Sequence, residues 1–341
     1  MPLSRKDCRR GLKSKKMKSN LIEVKNLVKE FKPRGLIGNI KRGVKAIDNI
    51  SFSIEKNIVF GLVGESGCGK TTVARTLLLL EQPTSGEILY RGVSLTRLPK
   101  KTLKDYRRNM QIVFQDPNSS LNPKLKIATS LGEGLGNIGV SGTEREEIID
   151  KYLELVGISP KLKNRYPHEF SGGQKQRIVI ARALTLNPDF LVLDEPVSNL
   201  DVSIQAQIIN LLIDLREKLK LTYLFISHDL NLVAYLSDQI AVMYKGKIVE
   251  TGSAENIVNN PIHPYTIKLL DSIPGNPRKH GSSEKYLTTT AETVDGKNIG
   301  PTLECPYYNL CPIKGKICRG KMPELKKVGD KHAVACFIID R

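Results

Sequence analysis

The 341-residue sequence predicts an α/β domain: a mostly parallel sheet with helices on both faces, an inserted helical block and a small cysteine-rich C-terminal extension. Three observations predict it. Short apolar runs that read as buried strands alternate with amphipathic helical stretches, the pattern of a parallel sheet covered on both sides. A complete glycine-rich loop, G-x-x-x-x-G-K-T at residues 64–71, stands between one such strand and a helix. Four of the six cysteines fall in the last 37 residues, where helix and strand periodicity is lost.

Composition sets the outer bounds. Hydrophobic residues make up 40% of the chain, enough for a sizeable core. No apolar run approaches the ~20 residues of a membrane-spanning helix. The notable cluster at 77–80 is four residues long. The N-terminus is basic but no apolar segment follows, so no signal peptide is expected and the chain is expected to stay in the cytoplasm. Part of the net charge of +18 is local: residues 1–20 carry eight Lys or Arg against Asp7 alone. Like charges repel and little apolar surface is available there, so a disordered tail is expected. Such a tail suits an anionic membrane, at about 1 kcal/mol per base. It suits a nucleic-acid backbone equally, or no partner at all. Charge alone does not choose the function.

Along the chain, residues 21–24, and then Ile50, Phe52 and Ile54, alternate as strand residues do. The apolar run 58–63 closes on Gly64 and reads as a buried strand. A helix is predicted from Gly69 and Lys70 through Leu80, stopped by Pro83. Residues 111–114 read as a further strand. From Pro117 to about Pro188 the pattern turns to helices and loops, with Ile148, Ile149, Tyr152, Leu153 and Val156 at helical spacing. Strands resume at 190–193 and 224–226. Between them Ile204, Ile208, Leu211, Leu212, Leu215 and Leu219 form the stripe of a helix. Past Pro274 prolines, glycines and cysteines dominate. The expected organisation is a tail at 1–20, a main domain at 21–272 with a helical subdomain at about 117–188, and an extension at 273–341.

The loop Gly64-Glu65-Ser66-Gly67-Cys68-Gly69-Lys70-Thr71, continued by Thr72, carries the first chemistry. Its glycines let successive backbone N–H groups turn inward around phosphates, and the helix N-terminus adds partial positive charge. Lys70 is expected to reach the β- and γ-phosphates of ATP, and Thr71 to coordinate Mg²⁺. A glycine-rich turn by chance is the competing reading, and the flanking strand and helix argue against it. Cys68 is read as a small side chain whose alkylation by a bulky group blocks nucleotide. A nucleotide-hydrolysing site also needs carboxylates, and the strand at 190–193 ends in Asp194 and Glu195, with Asp194 lying 124 residues after Lys70. Asp194 is expected to hold Mg²⁺ through water, and Glu195 to orient and deprotonate the attacking water. Loop and acidic strand together indicate a P-loop NTPase, without naming its branch.

The segment Ser171-Gly172-Gly173-Gln174-Lys175-Gln176-Arg177 resembles the signature sequence of the ABC ATPases, and Ser171 lies 23 residues before Asp194, as in that family. A serine and two glycines opening a helix make a second anion site. The resemblance covers about residues 21–272 and implies an ABC-type fold with an additional antiparallel β part. It implies that Ser171, Gly172, Gly173 and Gln174 face the γ-phosphate bound by a partner subunit. It likens Gln115 to the Q-loop glutamine that contacts Mg²⁺ and water, and Ser198 and Asp201 to the D-loop, where Asn199 replaces the usual alanine. His228, 33 residues after Glu195, resembles the switch histidine. Phe31 is matched to the aromatic that stacks on adenine, with a core or surface phenylalanine as the competing reading; against the family pattern residues 33–42 look like an insertion that lengthens its distance from the phosphate loop.

Within that family, Asn260-Pro261-Ile262-His263-Pro264-Tyr265-Thr266 is similar to the C-terminal stretch of oligopeptide and dipeptide permease ATPases. The segments 115–123 and Tyr166-Pro167-His168-Glu169 look like the same group, nearest its F-type subunit. The resemblance implies an ATPase peripheral to the cytoplasmic side of the inner membrane that energises peptide uptake. Its partners would be a sister ATPase, two transmembrane permease subunits and an extracytoplasmic substrate-binding protein. Similar ATPases drive nickel uptake, and the motifs do not separate the two. Soluble nucleic-acid ABC ATPases are the other rival class. They usually fuse two ATPase units or insert long modules, which this sequence lacks, so no specific nucleic-acid partner is expected.

Cys305, Cys311, Cys318 and Cys336 are separated by five, six and seventeen residues. Four thiolates suit a 4Fe–4S cluster or a structural zinc. The gaps are wider than the usual zinc pairs, and related permease ATPases are thought to carry a cluster here. An iron–sulfur cluster is therefore expected, with zinc or free thiols as alternatives.

Overall fold

A computed structural model describes residues 20–32, 43–273 and 304–337. The expected basic tail up to residue 19, the expected insertion at 33–42 and the stretch 274–303 of the extension lie outside the described residues. The strands are β1 (Asn20–Phe31), β2 (Val44–Glu55), β3 (Val59–Val63), β4 (Ser85–Tyr90), β5 (Val93–Ser94), β6 (Met110–Val113), β7 (Phe190–Asp194), β8 (Thr222–Ser227), β9 (Gln239–Tyr244), β10 (Lys247–Ser253), β11 (Lys326–Gly329) and β12 (His332–Val334). The helices are α1 (Lys70–Leu77), α2 (Lys100–Asn109), α3 (Pro117–Ser120), α4 (Ile127–Gly136), α5 (Gly142–Leu155), α6 (Gly172–Leu184), α7 (Val202–Leu219), α8 (Leu230–Leu236), α9 (Ala254–Asn259) and α10 (Pro264–Asp271).

The main sheet runs β11-β12-β10-β9-β3-β8-β7-β6, parallel from β9 to β6 and antiparallel at the β10–β12–β11 edge. Its central strands are buried on both faces, so their sequences are continuous apolar runs rather than alternating ones. Period two then sorts their side chains into two cores. Val59, Val63, Leu191, Leu193, Tyr223 and Phe225 pack with α6, α7 and α8. Phe60, Leu62, Phe190, Val192, Leu224 and Ile226 pack with α1 and with a second sheet, ordered β2-β1-β4-β5 and wholly antiparallel. A sheet with a helical layer on one face and a mixed layer on the other is thus built from alternate residues of the same short strands.

The helix predicted through Leu80 ends at Leu77. Leu79 turns left-handed at φ 51°, its N–H donates to the Thr76 carbonyl, and the Leu80 N–H donates to Arg75. That is a Schellman stop with leucine where glycine is usual. The left-handed leucine costs about 1–2 kcal/mol, offset by burying Leu78 and Leu79, each 4% exposed, in the core beneath the second sheet. Pro83 follows a stop already made. Between Pro117 and Pro188 lie helices α3 to α6.

The C-terminal hairpin does not hang from the domain. Strand β12 pairs with β10, placing Val334 opposite Glu250. The Glu250 carboxylate, fully buried, accepts from the N–H groups of Ile262 (2.9 Å) and His263 (3.0 Å) and meets His332 Nε2 at 2.8 Å. One buried carboxyl group therefore ties α10 and the β11–β12 hairpin to the sheet. Among the described residues, no helix is long and apolar enough to cross a membrane.

Candidate active site

Strands β3, β6, β7 and β8 run parallel, so their C-terminal ends share one edge of the sheet, where open α/β folds bind ligands. The polar residues singled out in the phosphate loop, at Asp194 and Glu195, and at Gln115, Ser198 and His228 arrive there. The glycine-rich loop leaves β3, whose five residues are all buried. Two of its glycines are forced by neighbours. A Cβ at Gly64 would lie 2.1 Å from the Met243 carbonyl oxygen, and one at Gly69 would lie 2.2 Å from that of Ala46. Gly69 also sits at φ 113°. The loop is thereby wedged between β2 and β9, and its shape is fixed by packing.

Lys70, only 4% exposed, folds back over the loop: its Nζ donates to the carbonyls of Gly64 (2.7 Å) and Glu65 (2.9 Å). The Thr71 hydroxyl donates to Asp194 Oδ1 at 3.2 Å. Asp194 is 3% exposed, and burial raises its pKa against the opposing hydrogen bond from Thr71. Thr72 follows on α1, half-buried. Cys68 is buried inside the loop, and burial pushes its thiol up despite the charge of Lys70.

Glu195 follows β7 in a left-handed conformation, φ 48°, anchored by its N–H on the Ile226 carbonyl at 2.9 Å. A bulky residue in that region costs about 1 kcal/mol or more, the kind of strain found at functional sites. Its Oε2 receives two neighbours: His228 Nδ1 at 3.2 Å and Gln115 Nε2 at 3.4 Å. Gln115 also donates to the Ser198 hydroxyl at 3.2 Å, and Ser198 donates to the Glu195 carbonyl. Lysine, threonine, paired acids, glutamine, histidine and serine thus converge from four strand ends. Such a group can bind a triphosphate and a divalent cation and hold a water beside a base.

The signature segment stands apart. Ser171 caps α6, accepting from the Gln174 N–H at 3.3 Å while the Gln174 side chain accepts from the Ser171 N–H at 3.0 Å. Ser171, Gly172 and Gln174 are exposed to solvent. Gly173 is needed because a Cβ there would come within 2.7 Å of Ile204 Cγ2 on α7. Asp201 lies at the N-terminus of α7, where Gln205 braces the preceding loop through the carbonyls of Val197 and Leu200. Phe31 ends β1, 42% exposed, with the Lys29 ammonium 4.7 Å above its ring.

Cys305, Cys311, Cys318 and Cys336 all line one small cavity of about 20 Å³, together with His263 and Tyr307. Burial raises the Cys305 thiol, and pushes that of Cys311 up to about 11. Among the described residues, no three His, Cys, Asp or Glu side chains form a group able to hold a metal ion as they stand.

Two features escaped the sequence reading. Tyr265, seen only as part of a motif, sends its hydroxyl to the loop, where the Glu65 N–H donates to it at 2.9 Å. Glu250 and His332 form the buried pair described above. The proline-flanked segment around Tyr265 was the available signal. Its target, 200 residues away, was not visible.

Comparison with known proteins accords with this geometry. Residues 47–198 match the family model "ABC transporter", and residues 249–318 match "Oligopeptide/dipeptide transporter, C-terminal region". The chain is 44% identical over 321 residues to the oligopeptide transport ATP-binding protein AppF of Bacillus subtilis, covering 93% of this chain and 97% of that one. It is 45% identical over 318 residues to a putative peptide import ATP-binding protein of Brucella ovis, with the same shares covered. Among solved structures it resembles a dimeric, post-hydrolysis ATP-binding cassette, MJ0796, bound to ADP and Pi. The TM-score is 0.61 at 28% identity, over 68% of this chain and 98% of that one.

Proposed function

The chain belongs to the ATP-binding subunits of ABC transporters of the oligopeptide and dipeptide class, and from that premise we propose that ATP hydrolysis at its Lys70–Asp194–Glu195 site energises uptake of short peptides. One observation carries the reading: the phosphate loop, the buried Asp194 and the strained Glu195 with its His228 and Gln115 neighbours meet at one sheet edge. The names of the relatives favour peptides over nickel as cargo.

On this reading, residues 64–72 cradle the phosphates and Lys70 leaves the carbonyls of Gly64 and Glu65 to reach the β- and γ-phosphates. The paired oxygens of Thr71 and Asp194, with Gln115 nearby, fit Mg²⁺, which when bound neutralises charge developing on the phosphates. Glu195 orients and deprotonates the attacking water, while His228 and Gln115 hold its carboxylate in line. Ser171, Gly172 and Gln174 are exposed because they cap the γ-phosphate of a companion ATPase subunit rather than the chain's own. Hydrolysis then requires a closed pair, with Ser198 and Asp201 at the junction. Phe31 offers its exposed ring to adenine.

The complex would contain a sister ATPase, two transmembrane permease subunits and an extracytoplasmic binding protein, with this chain on the cytoplasmic face of the membrane. The four cysteines would hold an iron–sulfur cluster, or zinc, as a staple for a tail too small to have its own core. Uptake of a labelled tri- or tetrapeptide should be lost when the chain is deleted, and restored by wild-type protein but not by Lys70→Ala. Normal peptide uptake without the chain, or loss of nickel uptake instead, would refute the proposed cargo.

A further inference from the structure

Between the nucleotide loop and the cysteine chamber stand three tyrosines in mutual contact. Tyr265 is fully buried in the first turn of α10. Its ring centroid lies 4.5 Å from that of Tyr244, at the end of β9, and 5.5 Å from that of Tyr307. Tyr244 and Tyr307 meet edge to face at 5.3 Å. Tyr307, 3% exposed, also forms part of the wall around the four cysteines. Each ring is held by the other two, so the Tyr265 hydroxyl is delivered to one fixed point. There it receives the Glu65 N–H at 2.9 Å.

That hydrogen bond has a specific consequence for the loop. Both backbone groups of Glu65 are occupied here: the N–H by Tyr265, and the carbonyl by Lys70 Nζ at 2.9 Å. Lys70 must let go of that carbonyl to reach phosphates. Tyr265 reaches the loop from α10, its ring packed against Tyr244 and Tyr307. When Lys70 turns to the nucleotide, the hydroxyl keeps the start of the loop in place. Without it the Glu65 N–H would be left without its partner, and the loop would have to be ordered at the expense of binding.

We infer that Tyr265 is a positioning residue of the phosphate loop, and that Tyr307 makes its hold depend on the packing of the cysteine chamber. The inference rests on the reading of residues 64–71 as the phosphate-binding loop, and the test separates the two. Tyr265→Phe keeps the ring and removes only the hydroxyl. In the full-length chain it should weaken binding of a fluorescent ATP analogue, and raise KM for ATP, by about three- to tenfold, the worth of one such hydrogen bond. The loss should fall on KM rather than kcat, with the thermal midpoint of the nucleotide-free protein within a degree or two of wild type. Tyr307→Ala, which leaves the hydroxyl but removes a ring that aims it, should shift affinity in the same direction. Wild-type affinity in either variant, while Lys70→Ala loses binding, would overturn the inference and leave the loop assignment standing. A fall in thermal midpoint and kcat in step with affinity would make Tyr265 merely structural and overturn it too. Undiminished ATP binding by Lys70→Ala would instead remove the loop assignment, and the inference with it.

Discussion

The Thr71 hydroxyl lies 3.2 Å from Asp194 Oδ1 across 123 residues of sequence, joining the loop after β3 to the end of β7. These are the two oxygens proposed to hold Mg²⁺, and one of them is a carboxylate that burial penalises when ionised.

Asp194→Asn tests that conflict. The neutral amide keeps the shape and relieves the buried charge, so the nucleotide-free protein should melt about 1–3 °C higher. Mg²⁺-dependent ATPase activity should fall at least about 100-fold. A variant both less stable and fully active would contradict both roles given to Asp194.

Glu195→Gln should lower kcat by about 10²–10⁴-fold, the usual contribution of a general base. Binding should survive, so ATP-bound pairs should accumulate and be visible as a larger species on size-exclusion chromatography. Persistent full ATPase activity would remove Glu195 from the chemistry.

Asp48 supplies a pH test away from the site. Burial works against its ionisation. The hydrogen bond and charge of Lys247, at 2.8 Å, and those of Lys45 outweigh burial and hold the carboxyl below its ordinary value of 3.8. A carboxylate favoured in the folded state contributes stability that is present above about pH 4 and lost as pH falls further. Half-open surroundings keep that contribution to about 1 kcal/mol or less. The thermal midpoint of Asp48→Asn should lie below wild type at pH 6, and the gap should narrow as pH falls below about 4. A constant gap across that range would mean that Asp48 acts through packing alone.

The cluster proposed for the four cysteines predicts colour. Chain purified without oxygen should be brown and contain iron and acid-labile sulfide. Replacing Cys311 with Ser should remove both and lower the thermal midpoint by several degrees. Colourless protein with one equivalent of zinc would replace the cluster by the alternative.

Much of this site was legible because its chemistry is local. A glycine loop between strand and helix, two acids closing the apolar run at 190–193, and a serine–glycine helix start each need only neighbours in sequence. The central strands were equally plain, since full burial leaves an unbroken apolar run in β3, β7 and β8. The antiparallel strands toward the C-terminus were not. In β10 the buried Glu250 disguises a strand, because its partners Ile262, His263 and His332 come from later segments. The early end of α1 at Leu77 was hidden for the same reason: propensity favours continuing through Leu80, and only the core beneath the second sheet rewards the turn at Leu79.

By itself, then, the sequence determined which groups could bind and cleave a phosphate anhydride, because residue type and short spacing set that chemistry. Only the tertiary structure decided what supports them: parallel strand order brought Gln115 and His228 to the same Glu195 oxygen, and the C-terminal tyrosines came up behind the loop. Such contacts depend on where packing closes the chain, over separations at which a linear pattern carries no information about distance.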